Sequence, residues 1–113
     1  MSDHAKRHYD TWDDTMKAMK AQAPSIGAAF GAMYPKLMGE GELSVRDKEL
    51  IAMAIGMAIR CEPCVYAHVE KAVKAGATRE QVIEAAGVVV AMQGGPGYVH
   101  VPEVLDALEA LGA

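Results

Sequence analysis

Residues 44–81 read SVRDKELIAMAIGMAIRCEPCVYAHVEKAVKAGATREQ, and the starts and stops of helices in this stretch decide the fold. Ser44 is a good N-cap, and Asp47 three residues later approximates a capping box with an acid one methylene short, so a helix is predicted to about Arg60. Pro63 suits the first turn of the next helix, which runs to Ala75 with Gly76 as its left-handed stop. Thr78-Arg79-Glu80-Gln81 is a full capping box for another helix, ending near Met92. Val88-Val89-Val90 has the composition of a strand. Its neighbours Ile83, Ala86, Gly87, Val90 and Ala91 keep helical spacing behind a strong cap, and that spacing decides for helix.

The rest of the chain reads in the same way. Trp12, Met16 and Met19 recur at spacings of four and three along a helix from about Tyr9 to Ala21, which Pro24 ends. Ser25 is placed to cap a helix from Ile26 to Met38 with Phe30, Met33, Tyr34 and Leu37 on one side, stopped by Gly39-Glu40-Gly41. Gly94-Gly95-Pro96-Gly97 breaks the chain, and Pro102 to Leu111 forms a last short helix. That glycine run follows a helix and lacks the Lys-Ser/Thr ending of a phosphate cradle, so it is read as a loop. No repeat, low-complexity tract or long linker divides the chain, and 113 residues make one all-α domain.

A formal charge of −4 disfavours nucleic acid and anionic membranes, both of which reward clustered Lys and Arg. The polar start Met1-Ser2-Asp3-His4 leads into no apolar stretch, and the longest apolar runs, Leu50–Ile59 and Ala85–Met92, fall short of a membrane span. A cytoplasmic setting is expected. Half of the residues are apolar (51%) but only 5% are aromatic, so the interior must be built from aliphatic residues and Met. A small chain this apolar is expected to hide part of its surface against copies of itself.

Chemistry concentrates at Cys61, Cys64 and His68, with Glu49 upstream; these are the only cysteines. A C-x-x-C pair at the mouth of a helix can close and reopen a small disulfide ring, because a helix N-terminus favours thiolate over thiol. His68, four residues after Cys64, lies on the same helical face and can exchange its proton. Glu49 can orient that imidazole. Helix geometry leaves open which cysteine is the better thiolate; His68 favours Cys64. The rival readings are a zinc site on Cys61, Cys64, His68 and Glu49, which lacks the usual second ligand pair, and a helical assembly module with vestigial cysteines. Glu62 and Tyr66 are read as a helix-start acid and a packing residue, His100 as incidental, and His4 and His8 as lying on a frayed terminus.

Glu49, eleven residues, Cys61-x-x-Cys64 and His68 after three more make an E-x11-C-x-x-C-x3-H pattern. It resembles the signature of the alkylhydroperoxidase AhpD-like proteins within the carboxymuconolactone decarboxylase superfamily. Residues 44–59, Ala75 to Glu84, and Gly94-Gly95-Pro96 followed by Pro102-Glu103-Val104 resemble the family around that signature. The resemblance implies an all-helical bundle of about five to six helices, a single repeat, with residues 1–24 as an N-terminal helical extension and 25–113 as the AhpD-like domain. It also implies a thiol-dependent peroxidase or disulfide oxidoreductase that needs no cofactor beyond a Cys61–Cys64 redox pair. Carried over, Cys64 is the thiolate that meets peroxide, Cys61 resolves the sulfenic acid, and Glu49 and His68 relay protons. The implied partners are a small hydroperoxide or disulfide and a thiol reductant. Because two-repeat members pack a second copy of the helical unit, a homo-oligomer, trimer or hexamer, is implied. Pro63 stands where some members carry a histidine, so one proton acceptor is absent. The decarboxylase branch lacks the cysteine pair, which disfavours lactone decarboxylation.

Overall fold

Seven helical segments account for nearly all of residues 3–113, which the computed structural model describes. They are α1 (Asp3–Gln22), α2 (Pro24–Met38), α3 (Val45–Ala58), α4 (Glu62–Lys74), α5 (Arg79–Gln93), a single turn α6 (Gly95–Tyr98) and α7 (Val101–Ala110). No strand occurs among the described residues. None of the helices is long and apolar enough to cross a membrane.

Two of the expected caps form as read. The Ser44 hydroxyl accepts from the Asp47 N–H at 3.1 Å, and Thr78 and Gln81 exchange side-chain and backbone bonds at 3.1 and 2.9 Å. Gly76 takes the left-handed conformation (φ 101°) after α4.

Three boundaries differ from the sequence reading. Helix α1 begins at Asp3 rather than near Tyr9, and the reason is tertiary. Ala5 is fully buried, the Tyr9 hydroxyl donates to the Tyr66 carbonyl at 2.6 Å, and His4 lies 2.6 Å from a Glu62 oxygen. The first turns are therefore pinned rather than frayed. Pro24 is the first residue of α2, where its missing N–H costs nothing, so Ala23 is the N-cap and Ser25 makes no cap bond. The stretch from Gly95 to Tyr98 closes a helical turn instead of an open loop. Gly97 is required there: a Cβ at that position would lie 3.0 Å from the Val89 carbonyl oxygen.

The core is made where α3, α4, α5 and α7 meet. Met53 and Met57 of α3 pack with Val65, Tyr66, Val69 and Ala72 of α4, Val82 and Ala86 of α5, and Val104 and Leu108 of α7. Among the described residues only one aromatic ring, Tyr66, is fully buried, so aliphatic side chains and Met fill the space. Helix α2 buries no residue completely. It lies over α1 and α3 and leaves Ile26, Phe30, Met33 and Leu37 exposed.

Candidate redox site

The site is built where α3 hands over to α4. Helix α3 ends with the Arg60 N–H on the Met57 carbonyl (3.1 Å) and the Cys61 N–H on the Gly56 carbonyl (2.9 Å). This is a Schellman closure, in which Arg60 occupies the left-handed position (φ 59°) usually given to glycine. It turns the chain so sharply that α4 passes directly against α3. Gly56 makes the approach possible, since a Cβ there would lie 3.0 Å from Cys64 Cβ and 3.3 Å from the Val65 nitrogen.

Cys61 and Cys64 are joined as a disulfide. Cys61 is the N-cap of α4, and its sulfur takes the place of the usual capping oxygen by accepting the Cys64 N–H at 3.3 Å. Pro63 sits in the first turn, as its position suggested. One turn further along α4, His68 projects from the same face as Cys64.

Glu49, on α3, is the only charged residue among those described that is buried, at 3% exposure. Both of its oxygens are occupied. Oε1 lies 2.6 Å from His68 Nδ1, and Oε2 accepts the Tyr34 hydroxyl from α2 at 2.9 Å. An ionised carboxylate can only accept, so this pairing puts the hydrogen on Nδ1 and leaves Nε2 for proton exchange. Burial, and then the bond to Glu49, hold the Tyr34 phenol well above its ordinary 10.0, which keeps it a donor. The Tyr34 ring is nearly parallel to the His68 ring (19°), with centroids 6.3 Å apart, and Lys71 Nζ lies 4.3 Å from the Tyr34 centroid.

Cys64 and His68 line one cavity of about 230 Å3 with Trp12, Phe30, Tyr34 and Lys71; Cys61 does not line it. The four residues singled out from sequence thus belong to one locality: a sulfur pair, an imidazole beside it and a carboxylate behind the imidazole. Glu62 and His100 are engaged elsewhere, with His4 and Glu103 respectively. Among the described residues no group of three or more His, Cys, Asp or Glu side chains is disposed to hold a metal ion.

The sequence profile of the carboxymuconolactone decarboxylase family matches residues 24–110. The chain belongs to that family. Solved structures of the family share the fold. A carboxymuconolactone decarboxylase family protein from Legionella pneumophila superposes with a TM-score of 0.90 at 30% identity, covering 99% of this chain and all of its own. Another family member, from Thermotoga maritima, suggested to take part in an antioxidative response, gives 0.70 at 26% identity over 76% of this chain and 89% of its own. By sequence, the uncharacterized protein 4 in cox locus of Paracoccus denitrificans is 37% identical over 77% of this chain and 78% of its own length.

Against this family background, three contributors escaped the sequence reading. In the sequence Tyr34 reads only as part of an apolar face; nothing local marks its hydroxyl as the partner of a carboxylate fifteen residues away. Gly56 and Arg60 act through backbone geometry, and an interior helix glycine was the one available signal.

Proposed function

We propose that this chain is a thiol peroxidase or disulfide oxidoreductase, in which Cys64 is the sulfur that meets the substrate and Cys61 the one that resolves it. The observation that carries this reading is the shared cavity of Cys64 and His68, with Glu49 fixing the far nitrogen of His68.

The cycle starts from the dithiol. His68 Nε2 takes the Cys64 proton, and the imidazolium is stabilised by Glu49. The thiolate attacks the terminal peroxide oxygen; the O–O bond breaks, Cys64 becomes a sulfenic acid, and the departing alkoxide takes a proton from His68. Cys61 then attacks the Cys64 sulfur, forming the disulfide and releasing water. The net change is two thiols and one hydroperoxide going to one disulfide, one alcohol and one water. A dithiol reductant reverses the oxidation by attacking Cys64, and Cys61 leaves as thiolate. The Cys64 N–H, already on the Cys61 sulfur, and the start of α4 favour that leaving group. Both halves therefore use Cys64 as the contact sulfur.

The test is to reduce the protein, add one equivalent of organic hydroperoxide, and follow free thiols and intact mass. Wild type is expected to lose two thiols, and Cys61→Ser to stop at a trapped sulfenic acid on Cys64. Retention of both thiols in wild type would remove the peroxidase reading.

A further inference from the structure

We infer that the groove between α1 and α2 is a binding site for a long apolar chain ending in a carboxylate, and that the hydroperoxide of such an acid is the form presented to Cys64. The second half rests on the redox reading above; the first does not.

Size is the first argument. The cavity at Cys64, about 230 Å3, adjoins one of about 430 Å3, and the two share Trp12, Met16, Phe30 and Lys71. Hydrogen peroxide needs little more than the room of a water molecule, on the order of 30 Å3. The combined space is in the range that holds an organic ligand.

Chemistry of the walls is the second. Between Cys64 and the far end, the groove presents Trp12, Met16, Met19, Ile26 and Phe30, all apolar and adaptable. Its charged side chains are two lysines. Of these two cavities Lys20 lines only the outer one, and Lys71 stands where they join. Asp13 and Glu70 line a neighbouring cavity with them, yet neither reaches ion-pair distance of either amine. An apolar chain laid in the groove with its reactive end at Cys64 places an acid group at Lys20. A neutral terminus would make no use of that cation, which is exposed in the last turn of α1.

The floor is the third. Gly27 and Gly31, one turn apart on α2, line the outer cavity. At Gly27 a Cβ would lie 2.9 Å from the Lys20 side chain, so the lysine stem lies against this glycine. At Gly31 a Cβ would meet nothing within 4 Å. Packing does not require glycine at 31, and a helix interior disfavours it. Keeping the groove open does account for it.

Trp12 is the single tryptophan of the chain and lines both cavities, so its fluorescence reports occupancy without any turnover. Dodecanoic acid, kept below micelle-forming concentrations, is titrated against the full chain. A saturable change is expected. It should weaken roughly five-fold in Lys20→Glu, since an exposed ion pair is worth a fraction of a power of ten and reversal counts it twice. It should weaken at least about ten-fold in Gly31→Leu, which fills the groove. No saturable change in wild type, equal binding of the methyl ester, or a signal that depends on protein concentration alone, as a second copy in the groove would give, overturns the proposal.

Oxidation of Cys64 in reduced protein is measured in parallel with linoleic acid hydroperoxide and with hydrogen peroxide. The rate ratio between them is expected to favour the acid and to collapse in Gly31→Leu. Thiol loss with no preference and no Trp12 response would sink the groove while leaving the redox reading intact. Saturable acid binding with no thiol loss to either peroxide would do the reverse.

Discussion

Tyr34 illustrates how much a single hydroxyl can carry. It satisfies the second oxygen of a carboxylate that is almost wholly removed from water, and so fixes the oxygen that holds His68. Tyr34→Phe leaves that oxygen without its donor, a loss of about 1–3 kcal/mol. A denaturant titration checks this, and the pH profile of Cys64 reactivity is expected to shift because Glu49 and His68 are no longer held in register. An unshifted profile would make the hydroxyl merely structural. The sequence singled out Cys61, Cys64, His68 and Glu49 because the cysteine pair has a histidine on its own helical face and Glu49 completes the family-like spacing, although His68 or Glu49 alone would pass for a surface residue. Tyr34 was not legible for the opposite reason: on an amphipathic helix a tyrosine is explained by its ring alone, and its partner lies on another element.

Helix junctions set the distances on which the site depends. The glycine at position 56 lets α4 cross α3 at close range, against the backbone of Cys64 and Val65. Gly56→Ala gains helix propensity of up to about 1 kcal/mol yet forces two backbones apart, so a net loss of roughly 1–3 kcal/mol is expected, read as a lower denaturant midpoint. Helix α1 carries a histidine whose packing couples it to pH. His8 stacks on Trp12 at 4.8 Å and leans on Tyr66 at 4.8 Å, and burial depresses its pKa below the ordinary 6.5, with Glu62 opposing and His4 adding to the shift. The folded state thus binds fewer protons at His8 than the unfolded chain. Its contribution is complete above 6.5 and is lost as pH falls below that value. The unfolding temperature should drop on acidification from pH about 7.5 to about 5.5, and less so in His8→Phe. Caps were readable at these junctions because Ser44 and Thr78 act on their own next turn. The start of α1 was not, because what orders it is Tyr66 and Glu62 of α4.

At the scale of the whole molecule the single chain exposes too much. A folded monomer of 12.0 kDa is expected to show roughly 6,000 Å2 of surface, whereas this one shows 6957 Å2. Its radius of gyration, 14.3 Å, exceeds the roughly 13 Å expected for its length. Large apolar side chains are among those exposed: Ile51, Ile55, Val88 and Met92, the last 82% exposed, line one hollow between α3 and α5. Self-association through this face is the expected outcome. Light scattering should give a multiple of 12.0 kDa for wild type and a smaller mass for Ile55→Glu. The composition raises the same expectation, since half of so short a chain cannot be apolar and all inside. The candidate face was not legible, because Ile51 and Ile55 meet Val88 and Met92 only through the α3–α5 packing. If His68 and Glu49 serve Cys64, removing the imidazole must change how readily that thiol ionises. In Cys61→Ser, the rate of Cys64 alkylation by iodoacetamide is measured against pH, with and without His68→Ala. The thiolate is expected to form near neutrality and to retreat toward about 8.5 when the imidazole is removed; identical profiles in the two proteins would show that His68 does not serve Cys64.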